Sequence, residues 1–199
     1  MSKDFLDSIR SRRSIYMIGK QPGISDERIA ELIRQALQYT PSSFNMQSAR
    51  AVLLLHEQHD ELWSIVLETL RKVTEPEKFG ATQQKIGSFA AGYGTVLFFD
   101  DTSVVGKFAN KFPLYRDNFP VWAQQSNGMF QFSVWNLLEA EGLGANLQHY
   151  NPLIDEQVKE RWDIPDVWQL IAQMPFGNPT GEAGEKTFQD IDQRFKMYR

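Results

Sequence analysis

No cysteine occurs in the 199 residues, which removes disulfides, thiolate metal sites and a thiolate nucleophile together. Histidine is nearly as scarce: His56, His59 and His149 form no HExxH-like pair, and no acidic loop of calcium type is present. A metal centre is therefore not expected. His56 and His59 flank Glu57-Gln58 where a strand gives way to a helix, a setting that reads as solvated loop. There is no G-x-S-x-G elbow, and no G-x-G-x-x-G follows a strand. Gly92-Tyr93-Gly94 precedes a strand, the wrong side for a dinucleotide fingerprint. Basic residues never cluster beyond a doublet, and with net charge −4 and pI near 5.4 nucleic acid is a poor partner. No run approaches the roughly 20 apolar residues of a membrane span. The first residues are charged and lack an apolar signal region, so the expected compartment is the cytoplasm. An enzyme built from this inventory would rely on a bound cofactor for its reactive chemistry.

What the chain does have is aromatic side chains: 14 Phe, 6 Tyr and 5 Trp, enough to fill a core or a subunit interface, or to line a slot for a flat ligand. Its length suits one domain, 1–199, with a full hydrophobic core. The other local signal is Arg12-Arg13-Ser14-Ile15-Tyr16. Between Asp7 and Asp26 there is no acid, while Arg10, Arg12, Arg13 and Lys20 all fall in that window. A helix starting near Asp4 and running to Arg13 would stack Phe5, Ile9 and Arg13 on one face. A guanidinium in line with core residues calls for an anionic partner, because an unpaired buried charge is costly. The plainer alternative is that these arginines complement the negative end of a surface helix.

Ser25 reads as an N-cap, and Ile29, Leu32, Ile33, Ala36 and Leu37 give the helix behind it one apolar face, ended by Pro41. A polar loop, Ser42-Ser43-Phe44-Asn45-Met46-Gln47, leads into a buried strand at 51–55. A helix is expected from Asp60 to about Val73, then loop with at most a helical turn over 76–92, with Lys85 in its middle. A strand follows at 95–99, a helix near 102–111, and the longest helix from about Val121 to Glu141, stopped by Gly142-Leu143-Gly144. Residues 145–150 read as extended, 152–162 as a short helix and 167–174 as a strand. From Pro175 onward the chain reads as an unpatterned tail carrying Lys186, Arg194 and Lys196, suited to wrapping another subunit. Helices alternate with single strands, so an α+β fold with helices dominating is expected.

Taken in order, Arg-Arg-Ser, then Pro-Ser-Ser-Phe-Asn-Met-Gln, then Leu-Leu-Glu-Ala-Glu-Gly-Leu-Gly-Ala-Asn-Leu-Gln, then Pro-Phe-Gly-Asn-Pro, the chain resembles the FMN-dependent nitroreductases over nearly its whole length. Arg-Arg-Ser-Ile-Tyr, Tyr-Gly-Thr-Val-Leu-Phe-Phe and Leu-Gln-His-Tyr-Asn-Pro look most like the shorter branch named after the yeast fatty-acid-repression protein. The resemblance implies a central mixed sheet flanked by helices, an intertwined homodimer, and FMN at the subunit interface. It implies NAD(P)H as donor and nitroaromatic or quinone-type acceptors, reduced in alternating half-reactions.

By the same resemblance, Arg12 and Arg13 would clamp the flavin phosphate, with Lys186 and Arg194 from the tail completing it. Guanidinium geometry suits a dianionic phosphate. Ser14, Ser43, Asn45 and Gln47 would serve the ring's polar edge, with Tyr16 and Ser42 as further cofactor contacts, the 42–47 loop reaching across to the partner's flavin. Lys85 is the candidate for the N1/C2=O side, and Gln148, His149 and Tyr150 for the N5/O4 side. Phe44 and Trp122 could cover the open face as substrate contacts. No acid–base residue is required, since the flavin carries the chemistry. Tyr16 stands where many relatives have a basic residue, and Asn-Met-Gln-Ser-Ala replaces Asn-x-Gln-Pro-Trp. Two other readings stay open: a flavin-binding regulatory protein of lipid or stress response with little turnover, and an α+β interaction module without flavin.

Overall fold

The structure is a computed structural model describing residues 4–199. Seven helices and five strands follow in the order α1 (Phe5–Ser11), β1 (Ile18–Gly19), α2 (Asp26–Tyr39), β2 (Ala49–Leu55), α3 (Glu57–Val73), α4 (Phe79–Ala90), β3 (Gly94–Asp101), α5 (Thr102–Lys111), α6 (Asn118–Ala140), β4 (Gly144–Ala145), α7 (Asp155–Trp162) and β5 (Trp168–Pro179). The strands lie in the order β1-β5-β3-β2, with β4 also paired to β5. Every ladder is antiparallel, and the sheet is mixed only through the isolated parallel bridge between Ser14 and Ala145.

β3 is buried at every position, as its continuous apolar run requires. Its side chains alternate between two cores, as the pleat dictates. Val96 and Phe98 pack with Ile29 and Ile33 of α2 and Phe130, Val134 and Leu138 of α6. Leu97 and Phe99 face the other way, onto Leu62, Trp63 and Val66 of α3, Ile86 and Phe89 of α4 and Val158 of α7. The register slips between Phe98 and Phe99, which pair with Ala172 and Leu170. The extra residue in β5, Ile171, puts Leu170 and Ala172 in opposite cores. The result is a sheet between two helical layers.

Local chemistry sets the ends as expected at several points. Ser25 caps α2 by accepting from the Arg28 N–H at 3.2 Å, and Thr40, before Pro41, leaves helical geometry. Gly142, at φ +82°, ends α6 in the left-handed conformation.

Elsewhere the structure corrects the sequence. Residues 79–90 are helix α4, not loop: Ile86 and Phe89 supply a short buried stripe, while Gly80 and Gly87 face open space and lower its propensity. Lys85 therefore sits on a helix and is exposed. α1 stops at Ser11, so Phe5, which is exposed, and Arg13 do not share a helical face. β5 continues through Pro175 to Pro179, and β1 is an added short strand. They cross closely: a Cβ on Gly177 would overlap the Gly19 carbonyl.

His59 is likewise no loop residue. It is fully buried on α3, one ring nitrogen 2.8 Å from Thr95 Oγ1 and the other 3.3 Å from the Ala90 carbonyl, while Trp63 Nε1 donates to Thr95 Oγ1 at 3.0 Å. Burial holds the imidazole neutral and lowers its pKa from 6.5 to about 4. A folded-state pKa below the unfolded one gives stability that is complete above pH 6.5 and lost as pH falls toward 4. The shift corresponds to about 3 kcal/mol. Urea unfolding of wild type and His59→Asn from pH 7 to pH 4 is expected to give a stability difference that shrinks by about that amount on acidification; parallel curves would contradict it.

Candidate functional site

Residues 12–16 leave α1 and run along the edge of β4. The Ile15 N–H donates to the Ala145 carbonyl at 3.0 Å, and Asn146 Nδ2 donates to the Ile15 carbonyl at 2.9 Å. This anchor holds the arginine doublet beside α6. The Arg12 guanidinium lies over the Trp135 ring, 4.4 Å from its centroid. Burial is the main cause lowering its pKa, with Glu139 opposing and Arg13 adding to the shift. Arg12 and Ser14 line a cavity of about 350 Å³ with Gly128, Gln131, Trp135 and Leu147. Arg13 turns the other way and donates through Nη2 to the Gly184 carbonyl, tying the tail to the doublet. Lys186, two residues further on, lies over the Phe188 ring. Arg194, at a short 3₁₀ turn, is exposed. The other bases of the acid-free window find partners: Arg10 is 3.8 Å from Asp7, and Lys20 2.7 Å from Asp60.

The polar loop occupies a different place. Phe44, Asn45 and Gln47 have φ of 56°, 52° and 53°, a left-handed run without glycine. Such backbone costs of order 1 kcal/mol or more per residue and persists only where surroundings enforce it. Ser42 Oγ accepts from the Gln47 N–H at 2.9 Å, and the Gln47 carbonyl accepts from Arg50 at 2.8 Å. Phe44 is clasped by rings: Phe112 at 4.8 Å, Phe119 at 5.4 Å, Tyr115 at 5.8 Å, and Trp122 stacked at 5.9 Å. Phe44 and Trp122 are thus brought together, in an aromatic cluster whose other members the sequence reading did not single out. Ser42 and Gln47 line a second cavity, of about 300 Å³, with Arg34, Arg50, Ser126 and Phe130. Ser43 is half-buried and Asn45 exposed.

The two cavities lie on opposite sides of α6. At about 100° per residue, Gly128, Gln131, Phe132 and Trp135 share one stripe, and Ser126 and Phe130 the reverse one. The i, i+3, i+4, i+7 spacing of 128, 131, 132 and 135 was readable in the sequence. Without knowing which loops meet that stripe, it did not announce a cavity.

A third group sits near Tyr16. Its ring lies 6.1 Å from Phe89 and acts on Tyr150, whose phenol is pushed up to about 12, first by burial and then by Tyr16. Lys85 stands one helical turn before Phe89, on the same side of α4. Gln148 is buried and occupied: it exchanges backbone bonds with Gln173 at 2.7 and 2.9 Å, and its amide donates to Asn146 Oδ1 at 2.8 Å. His149 is exposed, so a buried structural role for it is not what the fold provides.

Beneath the loop lies a buried acid. Asp100 Oδ1 accepts from Ser48 Oγ at 3.0 Å, while its Oδ2 has no hydrogen-bond donor. Burial raises its pKa to about 6, against the stabilising effects of Ser48, Asn127 and Arg50 on the charged form. Asp101 beside it is well served: it caps α5 through Ser103 and Val104 and pairs with Arg50 at 2.9 Å. Those bonds outweigh burial and hold it below the usual carboxylate range. Among the described residues no cluster of His, Asp or Glu could hold a metal, and no helix is long and apolar enough to cross a membrane.

A guanidinium and a hydroxyl at a cavity are donors of the kind a phosphate takes. Cavities of about 300–1,000 Å³ are typical of small-molecule sites. Comparison with known proteins identifies a family. The nitroreductase family model matches residues 9–178. The Saccharomyces cerevisiae proteins HBN1 and FRM2, the second described as a nitroreductase, are 33% and 31% identical, over 92% and 93% of both chains. Among solved structures, nitroreductase CinD from Lactococcus lactis, in complex with chloramphenicol, superposes with TM-score 0.89 at 41% identity, covering 98% of this chain and 100% of that one. By sequence and by fold, the chain belongs to the nitroreductase family of oxidoreductases.

Proposed function

We propose that the protein is an FMN-dependent NAD(P)H oxidoreductase that acts as a homodimer on nitroaromatic or quinone-type acceptors. The observation that carries this reading is the half-buried Arg12, beside Ser14 at a cavity, with Arg13 bonded to the tail two residues before Lys186. When bound there, FMN would supply the hydride chemistry, which this chain's own side chains lack. Arg12 and Arg13 would hold the phosphate, with Lys186 and Arg194 brought in by the tail. Tyr16, Lys85 and Tyr150 would border one edge of the ring. Gln148 and His149 would meet it along the extended segment after β4.

Ser42, Ser43, Asn45 and Gln47 cannot join that group within one chain, because α6 stands between the two cavities. A two-fold partner resolves this: one chain's loop would close the other's arginine cavity. Exposed apolar side chains on the elements around both cavities, Phe5, Tyr39, Met129 and Phe132, favour such cover, as do Phe188 and Tyr198 in the tail. Phe44 and Trp122 would then form an aromatic wall on the acceptor side. Nitroreductase CinD has been solved in complex with chloramphenicol and with 4-nitrophenol, both nitroaromatic. The preference for a flat acceptor here is argued from the Phe44–Trp122 stack.

Purified protein is expected to be yellow or to become so on adding FMN, to bleach with NADH or NADPH, and to recover its colour with a nitroaromatic compound. Protein that stays colourless with FMN would overturn the reading; bound flavin that resists both nucleotides would favour a regulatory role. Arg12→Ala with Arg13→Ala is expected to weaken FMN binding by on the order of 10²–10⁴, from two charge-assisted contacts of roughly 1.5–3 kcal/mol each. Unchanged affinity in a fluorescence titration would remove the phosphate-clamp assignment.

A further inference from the structure

Asp100 is 4% exposed and one of its oxygens lacks a donor. On one side, Ser48 Oγ donates to it at 3.0 Å, and Ser48 follows Gln47 in the polar loop. On the other side is the fully buried Asn127 of α6, whose amide donates to the Phe99 carbonyl at 3.0 Å and not to Asp100 Oδ2. Asn127 Oδ1 accepts from Gln131 Nε2 at 2.7 Å, and Gln131 lines the cavity of Arg12 and Ser14. Polar contacts thus reach Asp100 from the loop, and reach Phe99, the residue before it, from the Gln131 side of α6.

We propose that Asp100 is a positioning residue, which holds the polar loop through Ser48. This rests on the flavin reading above. An ionised carboxylate only accepts, so it turns Ser48 Oγ–H toward itself. A protonated Asp100 would donate instead, and the orientation of the Ser48 hydroxyl would no longer be enforced. Burial brings this change within reach, since the carboxyl is raised to about 6. The charged group acting on it is Arg50 of β2, itself paired with Asp101; α6 and β5 bring the neutral Asn127 and Gln169 against it. A carboxylate buried at a cost to stability, bonded to a loop that lines a pocket, is where function rather than packing is expected to decide.

The test is FMN affinity, by quenching of flavin fluorescence, for wild type and Asp100→Asn from pH 5 to pH 8. The flavin phosphate titrates in the same range, but it is common to both proteins and cancels in their ratio. The affinities are expected to agree at pH 5 and to separate above pH 7, wild type binding roughly three- to tenfold tighter, the size of a typical coupling between contacting residues. Ser48→Ala removes a donor to the charged form, so the pH at which binding strengthens is expected to move upward. A ratio that stays constant with pH, or an unmoved midpoint in Ser48→Ala, overturns the positioning role while leaving flavin binding intact. Wild type that binds no FMN at any pH overturns the flavin reading and this proposal with it. Thermal melts at pH 7 are expected to show Asp100→Asn folded and at least as stable as wild type, since a neutral amide replaces a buried charge. Should that variant fail to fold, Ser48→Ala alone decides.

Discussion

The constraint on which this structure depends is that α6 must be covered on every side. It is 23 residues long and apolar over most of its circumference. Phe130, Val134 and Leu138 pack onto the sheet and α2, and Phe119 and Ala123 onto the ring cluster under the polar loop. Met129 and Phe132 still face outward, beside one cavity or between the two. A helix so placed separates the arginine doublet from the 42–47 loop, and also gives both a common wall. The proposed division of the site between two copies of the chain rests on that geometry, because one ligand cannot touch both sides of a helix.

Electrostatics divides the interior into groups that serve the fold and groups that burden it. His59 is buried with both ring nitrogens engaged, and Thr95 ties it to Trp63. It favours the folded state at neutral pH and ceases to do so in acid. Asp100 has the opposite sign: its raised pKa favours folding in acid and costs stability once the carboxyl ionises. The first behaves as a core residue. The second is better understood through what it connects.

The sequence displayed the fold where each signal was local and uncontested. Ser25, Pro41 and Gly142 set helix ends by their own backbone chemistry, and the run 95–99 read as a strand, which the structure extends to 94–101. It concealed what depends on distant contacts. Helix α4 is carried by Ile86 and Phe89 meeting Trp63 and Leu62, which no window of 79–90 contains. β5 runs through Pro175 because β3 and β4 pair with it there. The arginine doublet and the loop stood out by composition and by resemblance. Gln131, Trp135 and Asp100 did not, since their meaning comes only from what the fold sets beside them.

The central claim is that one chain's arginines and the other chain's loop make a single binding site, and mixed dimers test it directly. One chain would carry Arg12→Ala and Arg13→Ala, its partner Asn45→Ala and Gln47→Ala, and the bound FMN per mixed dimer would be counted. A site shared across the interface predicts that each homodimer binds poorly while the mixed dimer recovers one site at wild-type affinity, since one wild-type arginine pair then meets one wild-type loop. A mixed dimer with no recovered site would contradict it, and would place both groups in the same chain's pocket.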